Sequence, residues 1–109
     1  NNATVADAAW EPHIVTPAHP EYISTHSTLT KAAAVILAAF FGGDEADITL
    51  AAFMDPGMTR HYGSFSQVAE EAGLSRIYGG IHFRFSHTTG SAMGQQIGGY
   101  VWNTLMQPK

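Results

Sequence analysis

Cysteine is missing from all 109 residues, which excludes a disulfide framework and any thiolate zinc site. Charge is scarce as well: charged residues make up 13%, five of them Lys or Arg, and the formal net charge is −4. Binding nucleic acid by counterion release needs clustered cations, so a nucleic-acid partner is not expected. No apolar run reaches the ~20 residues of a membrane-spanning helix; the longest, AAAVILAAFFGG, reads as a buried helix. Lack of cysteine leaves the redox compartment open but fits an extracytoplasmic protein, periplasmic or secreted, which is the expectation. The chain begins with Asn, not Met, and shows no signal-peptide pattern, so it is expected to start at a processing boundary.

What is present is apolar. Hydrophobic residues account for 45%, which leaves thin polar cover for one small domain. Another segment, a second chain or a homo-oligomer is therefore expected to cover part of the surface. A single domain over residues 1–109 fits the length.

Residues 1–22 hold Pro12, Pro17 and Pro20 without helical periodicity and read as an extended lead-in. Ser/Thr caps ahead of an Ala-rich run closed by Gly42 and Gly43 predict a helix over 27–41. Between 44 and 63 an acidic turn, a short apolar piece and Pro56-Gly57 predict a loop with one short helix. Ser64 and Gln67 stand at capping-box spacing, and Phe65, Val68, Ala69, Ala72 and Ile77 continue a helical period, so a second helix is expected over 65–78. A third carries Met93, Ile97, Val101 and Leu105 as an apolar stripe, with Gly90, Gly94 and Gly98 four apart on one face for close helix packing.

Two stretches carry candidate chemistry. In SRIYGGIHFRFS, Arg76 and His82 flank a helix end and a Gly-Gly turn that could bring both to one pocket, with Ile77, Ile81, Phe83 and Phe85 packed around them. A guanidinium and a neutral imidazole together suit an oxyanion. In PEYISTHST, Ser24 and His26 precede the first long helix, whose free N–H groups and dipole favour an anion. The plainer reading makes Ser24 or Thr25 a helix cap and His26 exposed. Arg60 is a candidate cation at the pocket rim, and His19 could line the entrance. Glu70 and Glu71 read as a solvated helix face. No His pair has the spacing of a helical zinc site.

TPAHPEYISTHSTLTKAAAVILAAFFG followed by SFSQVAEEAGLSRIYGGIHFRF resembles the C-terminal half of the vanadium-dependent haloperoxidases and type 2 phosphatidic acid phosphatases. Two motifs match in order: Ile23-Ser24-Thr25-His26, and Ser75-Arg76 with His82 six residues on. The resemblance implies an all-α helical bundle, incomplete in this chain. It implies that His82 binds vanadium, or is phosphorylated transiently in a phosphatase. Arg76, Ser24 and the Thr25 N–H would hold the oxyanion, and His26 would be the acid/base. The expected cofactor is vanadate, with halide and peroxide as substrates, or no cofactor and a phosphate ester. A non-catalytic helical assembly module descended from the family is the third reading.

Three departures from the family pattern set further expectations. Its Lys and Arg-Pro cations are absent, since the lysines here are Lys31 and Lys109, so an N-terminal segment or second chain is expected to supply them. Thr25 stands in place of glycine. Ser86 stands where an acid normally orients the histidine, and a serine is expected to orient it more weakly. Ser86, Ser75 and Arg60 are thus expected as a supporting layer around the site.

Overall fold

The computed structural model describes residues 4–52, 55 and 57–107. In chain order it forms α1 (Thr25–Phe41), β1 (Glu45–Ala51), β2 (Thr59–Ser64), α2 (Phe65–Tyr78) and α3 (Arg84–Leu105). The described residues before Ser24 contain neither helix nor strand, as their prolines require.

Local signals set the helix ends. Ser24 is the N-cap of α1, its Oγ accepting the Ser27 N–H at 3.4 Å. Gly42, at φ +79°, closes the helix by returning its N–H to Ala38 O, a conformation that only glycine adopts cheaply. Ser64 caps α2 through the Gln67 N–H at 3.0 Å, while Gln67 Oε1 accepts the Gly63 N–H at 2.8 Å. This is a capping box shifted by one donor. At the far end of α2, Gly80 turns the chain at φ +78°.

The stretch expected to be a loop with a short helix is instead an antiparallel hairpin. β1 and β2 pair Ile48 with Tyr62, Leu50 with Arg60 and Ala51 with Thr59, with an irregularity between Glu45 and Ile48. Six residues, Glu45 to Leu50, alternate polar with apolar, a strand period outweighed in the sequence expectation by the acidic turn and the Pro-Gly pair. Ile48 and Leu50 line an apolar crevice against Leu37, Phe65 and Val68. The turn at its tip includes Gly57, whose N–H bonds Asp55 Oδ1 at 3.2 Å; Pro56 lies outside the described residues.

α1 and α3 run in the same direction with almost no space between them. A Cβ added at Gly90 would fall 2.7 Å from Ser24 O, one at Gly94 2.3 Å from Thr28 O, and one at Gly98 2.7 Å from Ala32 O. The expected glycine face is therefore the contact face. The apolar stripe beside it is left partly outward, with Met93, Ile97 and Leu105 exposed, because the glycines make the close contact with α1. The buried hydrophobic residues described are Ala32, Ala34, Ala69 and Ile81, whereas the largest fully sealed side chains are Ser24, Ser27 and Ser86. A radius of gyration of 16.2 Å, against about 13 Å for a compact chain of this length, describes an open assembly of helices. Among the described residues no helix is long and apolar enough to cross a membrane.

Candidate functional site

The lead-in, the α2–α3 turn and the start of α1 converge at one end of the helices. The N–H groups of Ile81 and His82 bond Arg76 O at 3.2 and 3.3 Å, folding the turn back on α2. Ser24 N–H reaches Ser86 O at 3.4 Å, and Ser86 Oγ–H donates to Glu21 O at 3.0 Å. These bonds stitch residues 21–24 to the first turn of α3.

His82 is buried, its side chain 1% exposed. Its Nδ1 lies 3.2 Å from Glu21 Oε1, and because a carboxylate only accepts, Nδ1 carries the proton. The same oxygen accepts the Phe83 N–H at 2.9 Å. Burial pushes the Glu21 carboxyl up, but the Phe83 N–H and the His82 and Ser86 side chains outweigh it and hold it below the ordinary carboxylate value. His82 Nε2 is left as a buried atom with no hydrogen-bond partner among the described residues, and so is Arg76 Nε. Buried polar atoms are rarely left so, and a free imidazole lone pair beside a guanidinium N–H is what an oxyanion would satisfy.

Here the sequence expectation needs correction. Ser86 makes no direct bond to His82; its hydroxyl donates to the Glu21 carbonyl. The orienting acid is Glu21, contributed by the lead-in 61 residues away. Only its place inside PEYISTHST, three residues before Ser24, could have drawn attention to it.

The other expected residues divide into those brought together and those not. His26, on the first turn of α1, is exposed, as the plainer reading expected; its pKa is lowered first by partial burial and then by the charges of Arg76, His82 and His19, which places all four within electrostatic reach. His19 stacks on His82 with ring centroids 6.1 Å apart and bonds Pro20 O through Nδ1 at 2.9 Å. Thr25 is the first residue of α1, where backbone N–H groups lack intrahelical acceptors. Ser24 both caps the helix and sits fully buried at this end. Ser75 stands apart, its Oγ–H turned back to Ala72 O at 2.7 Å. Arg60 pairs with Glu71 at 2.5 Å on the exposed side of α2. Phe83 and Phe85, expected to pack around the site, are exposed at 65% and 57%; they stack on each other at 5.8 Å and, through Phe85, on Tyr22 at 5.7 Å.

A feature that sequence spacing did not reveal lies just behind Ser24. Ser27 Oγ is 2.9 Å from Ser24 Oγ and 2.9 Å from His87 Nδ1, and His87 Nε2 is 3.3 Å from Glu70 Oε1. Among the described residues no three His, Asp or Glu side chains form a chelating set. The donor set is one imidazole surrounded by hydrogen-bond donors, which suits an anion better than a bare cation.

Comparison with known proteins agrees with this architecture. The family profile described as the VCPO second helical-bundle domain matches residues 1–108. The structure titled as the first bacterial vanadium-dependent iodoperoxidase superposes with a TM-score of 0.77 at 38% identity, over 89% of this chain and 24% of that one. A holo-type bacterial vanadium-dependent chloroperoxidase gives 0.72 at 25% identity, over 84% and 22%. Its apo-type counterpart gives 0.71 at 26%, over 83% and 22%. No curated protein sequence matches the chain. The chain thus spans about a quarter of the length of these solved relatives. With a profile matched over nearly every residue, the chain belongs to the vanadium haloperoxidase family, as its VCPO second helical-bundle domain.

Proposed function

We propose that this chain carries the oxyanion-binding half of a vanadium-dependent haloperoxidase site. The observation that supports the reading best is the pair of buried, unpartnered nitrogens, His82 Nε2 and Arg76 Nε. Both lie beside a His26 that senses the two charges. Glu21 fixes the His82 tautomer so that Nε2 offers its lone pair outward. On this reading Arg76 supplies charge-assisted donors, and Ser24 with the N–H groups opening α1 adds further ones. Partial burial first, and then the Arg76 charge, lower the His26 pKa, which favours the imidazole form able to take a proton from an entering oxygen acid and return it. Vanadate, when bound by these residues, would supply the activation of peroxide that oxidises a halide.

The family's remaining cations, a Lys and an Arg-Pro, belong on this reading to the portion of the protein outside the quarter represented here. His19, stacked on His82, adds one basic group from within the chain. Peroxidase chemistry is preferred over phosphatase chemistry because the solved relatives are titled as vanadium-dependent peroxidases. The test uses the full natural protein. Iodide, bromide and chloride oxidation with orthovanadate and peroxide are assayed beside phosphomonoester hydrolysis, and orthovanadate affinity is measured directly. Halide oxidation that depends on added vanadate is expected. Hydrolysis alone would transfer the site to the phosphatase branch, and absence of both activities together with no vanadate or phosphate binding would leave a helical assembly module.

A further inference from the structure

The Glu70–His87–Ser27–Ser24 chain is not explained by packing. Ser24, Ser27 and His87 are 0%, 1% and 5% exposed; the two serines open α1 and the histidine stands on α3. Room is made for them: a Cβ at Gly73 of α2 would lie 2.4 Å from His87 Nδ1 and 2.9 Å from Ser27 Oγ. Only glycine at that position lets α2 approach while the imidazole bonds the serine. One end of the chain, Glu70, has its side chain 57% exposed to water. The other end is the Ser24 hydroxyl at the candidate site.

Proton counting gives this chain two states. Glu70 is a carboxylate acceptor, so His87 Nε2 carries a proton in either state. When His87 holds that proton alone, Nδ1 is an acceptor and takes the Ser27 O–H. The bond in which Ser27 Oγ–H donates to Ser24 Oγ at 2.9 Å in the structure is then reversed, and the Ser24 O–H points inward. When His87 holds two protons, Nδ1–H donates to Ser27 Oγ. The Ser27 O–H then donates to Ser24 Oγ, which also takes the Ser27 N–H at 3.4 Å. With its acceptor capacity filled from behind, Ser24 has its own O–H free for a group in front. The second proton enters at the site end and is handed along the hydroxyls: Ser24 takes one from the group in front and passes its own to Ser27, which passes its own to His87 Nδ1.

We propose that Glu70, His87 and Ser27 are positioning residues that turn the Ser24 hydroxyl outward to an oxyanion when His87 is doubly protonated and inward when it is not. This rests on the reading of an oxyanion at His82. The charged groups facing His87 are Glu70 from α2, Lys31 from α1 and Arg84 from its own helix, which line one groove with it. Of these, Glu70 is in hydrogen-bond contact with the ring. Linkage is reciprocal: if a doubly protonated His87 strengthens anion binding, the bound anion draws a proton onto His87.

The test is 15N NMR of the histidine ring nitrogens in the full natural protein, titrated with orthovanadate and, separately, inorganic phosphate near neutral pH. On anion binding, both His87 nitrogens are expected to move to the protonated position while His82 Nε2 reports ligation directly. Ser27→Ala, which removes one oxygen from the chain, should abolish the His87 response and weaken anion affinity about tenfold, the worth of one hydrogen bond to a charged group. His82 should still respond. Glu70→Gln, a surface change that leaves the buried packing intact, should reduce the proton uptake at His87. An anion that binds with a full His82 response and a silent His87, or a Ser27→Ala protein with unchanged affinity and unchanged His87 shifts, overturns the relay and leaves the site. No binding of either anion and no response at His82 overturns both.

Discussion

The two ends of α1 are built in opposite senses. At its start the sealed side chains are hydroxyls and imidazoles: Ser24, Ser27, Ser86, His82 and His87. At its finish Phe40 and Phe41 stand 64% and 65% exposed, and on the parallel α3 so do Tyr100 at 67% and Leu105 at 73%. A self-sufficient small domain distributes its residues the other way. Buried hydroxyls are tolerable only when bonded, and here nearly every one is, so the hydroxyls of the polar end are satisfied within this chain while His82 Nε2 and Arg76 Nε are left for a group from outside it. The apolar end is complete only against something else, as expected of a domain that spans about a quarter of its solved relatives.

The contrast can be broken at either end. The largest effect is expected at the polar one: His82→Ala in the full protein should weaken orthovanadate binding by about a hundredfold or more while leaving thermal unfolding nearly unchanged, read by calorimetry beside the binding curve. Unaltered affinity would remove His82 from the site. Next comes the seam that joins the two ends. Gly94→Val forces a side chain onto the Thr28 carbonyl and should cost about 3 kcal/mol in denaturant unfolding.

At the apolar end, Phe41→Ala in the full protein should cost about 2 kcal/mol if that face is covered there, and less than about 0.5 kcal/mol if it is bare. The smaller value would undo the comparison. The smallest change is Glu21→Ala, expected to lower anion affinity about tenfold by freeing the His82 ring. It also carries a pH signature. The folded Glu21 pKa lies below its unfolded one, so its contribution to stability is present above the ordinary carboxylate range and is lost as pH falls through the folded value. Stability measured against pH should therefore have a shallower acid limb below about pH 4 in the variant.

What the sequence made legible follows the range over which each signal acts. Caps and breakers act within a few residues, and Ser24, Ser64, Gly42 and Gly80 end or begin helices where their chemistry requires. The glycine spacing on α3 was equally readable, because i, i+4 positions share a face. The hairpin was missed although Glu45 to Leu50 alternate polar with apolar, because the acidic turn and the Pro-Gly pair suggested a loop and the apolar side chains acquire a face only by packing on Leu37 and Val68. For the site, Arg76 and His82 are joined by a turn visible in the sequence. Glu21 and His87 reach their partners across 61 and 60 residues. No local pattern encodes such meetings, and the expectation for Ser86 failed because the position of an acid in sequence was taken for its position in space.

On α3 the residues Ser86, Gly90, Gly94 and Gly98 follow one another at intervals of four, and all are buried. The stitch to the lead-in and the backbone contact with α1 therefore lie along a single helical phase. A one-residue insertion between Ser86 and Gly90 would rotate everything beyond it by about 100°, turning side chains such as Met93 toward the carbonyls of α1. Chain length is thus free to vary at the tip of the hairpin but is quantised along this helix. Divergent members of the family should differ in α3 by substitution and almost never by a single-residue insertion or deletion.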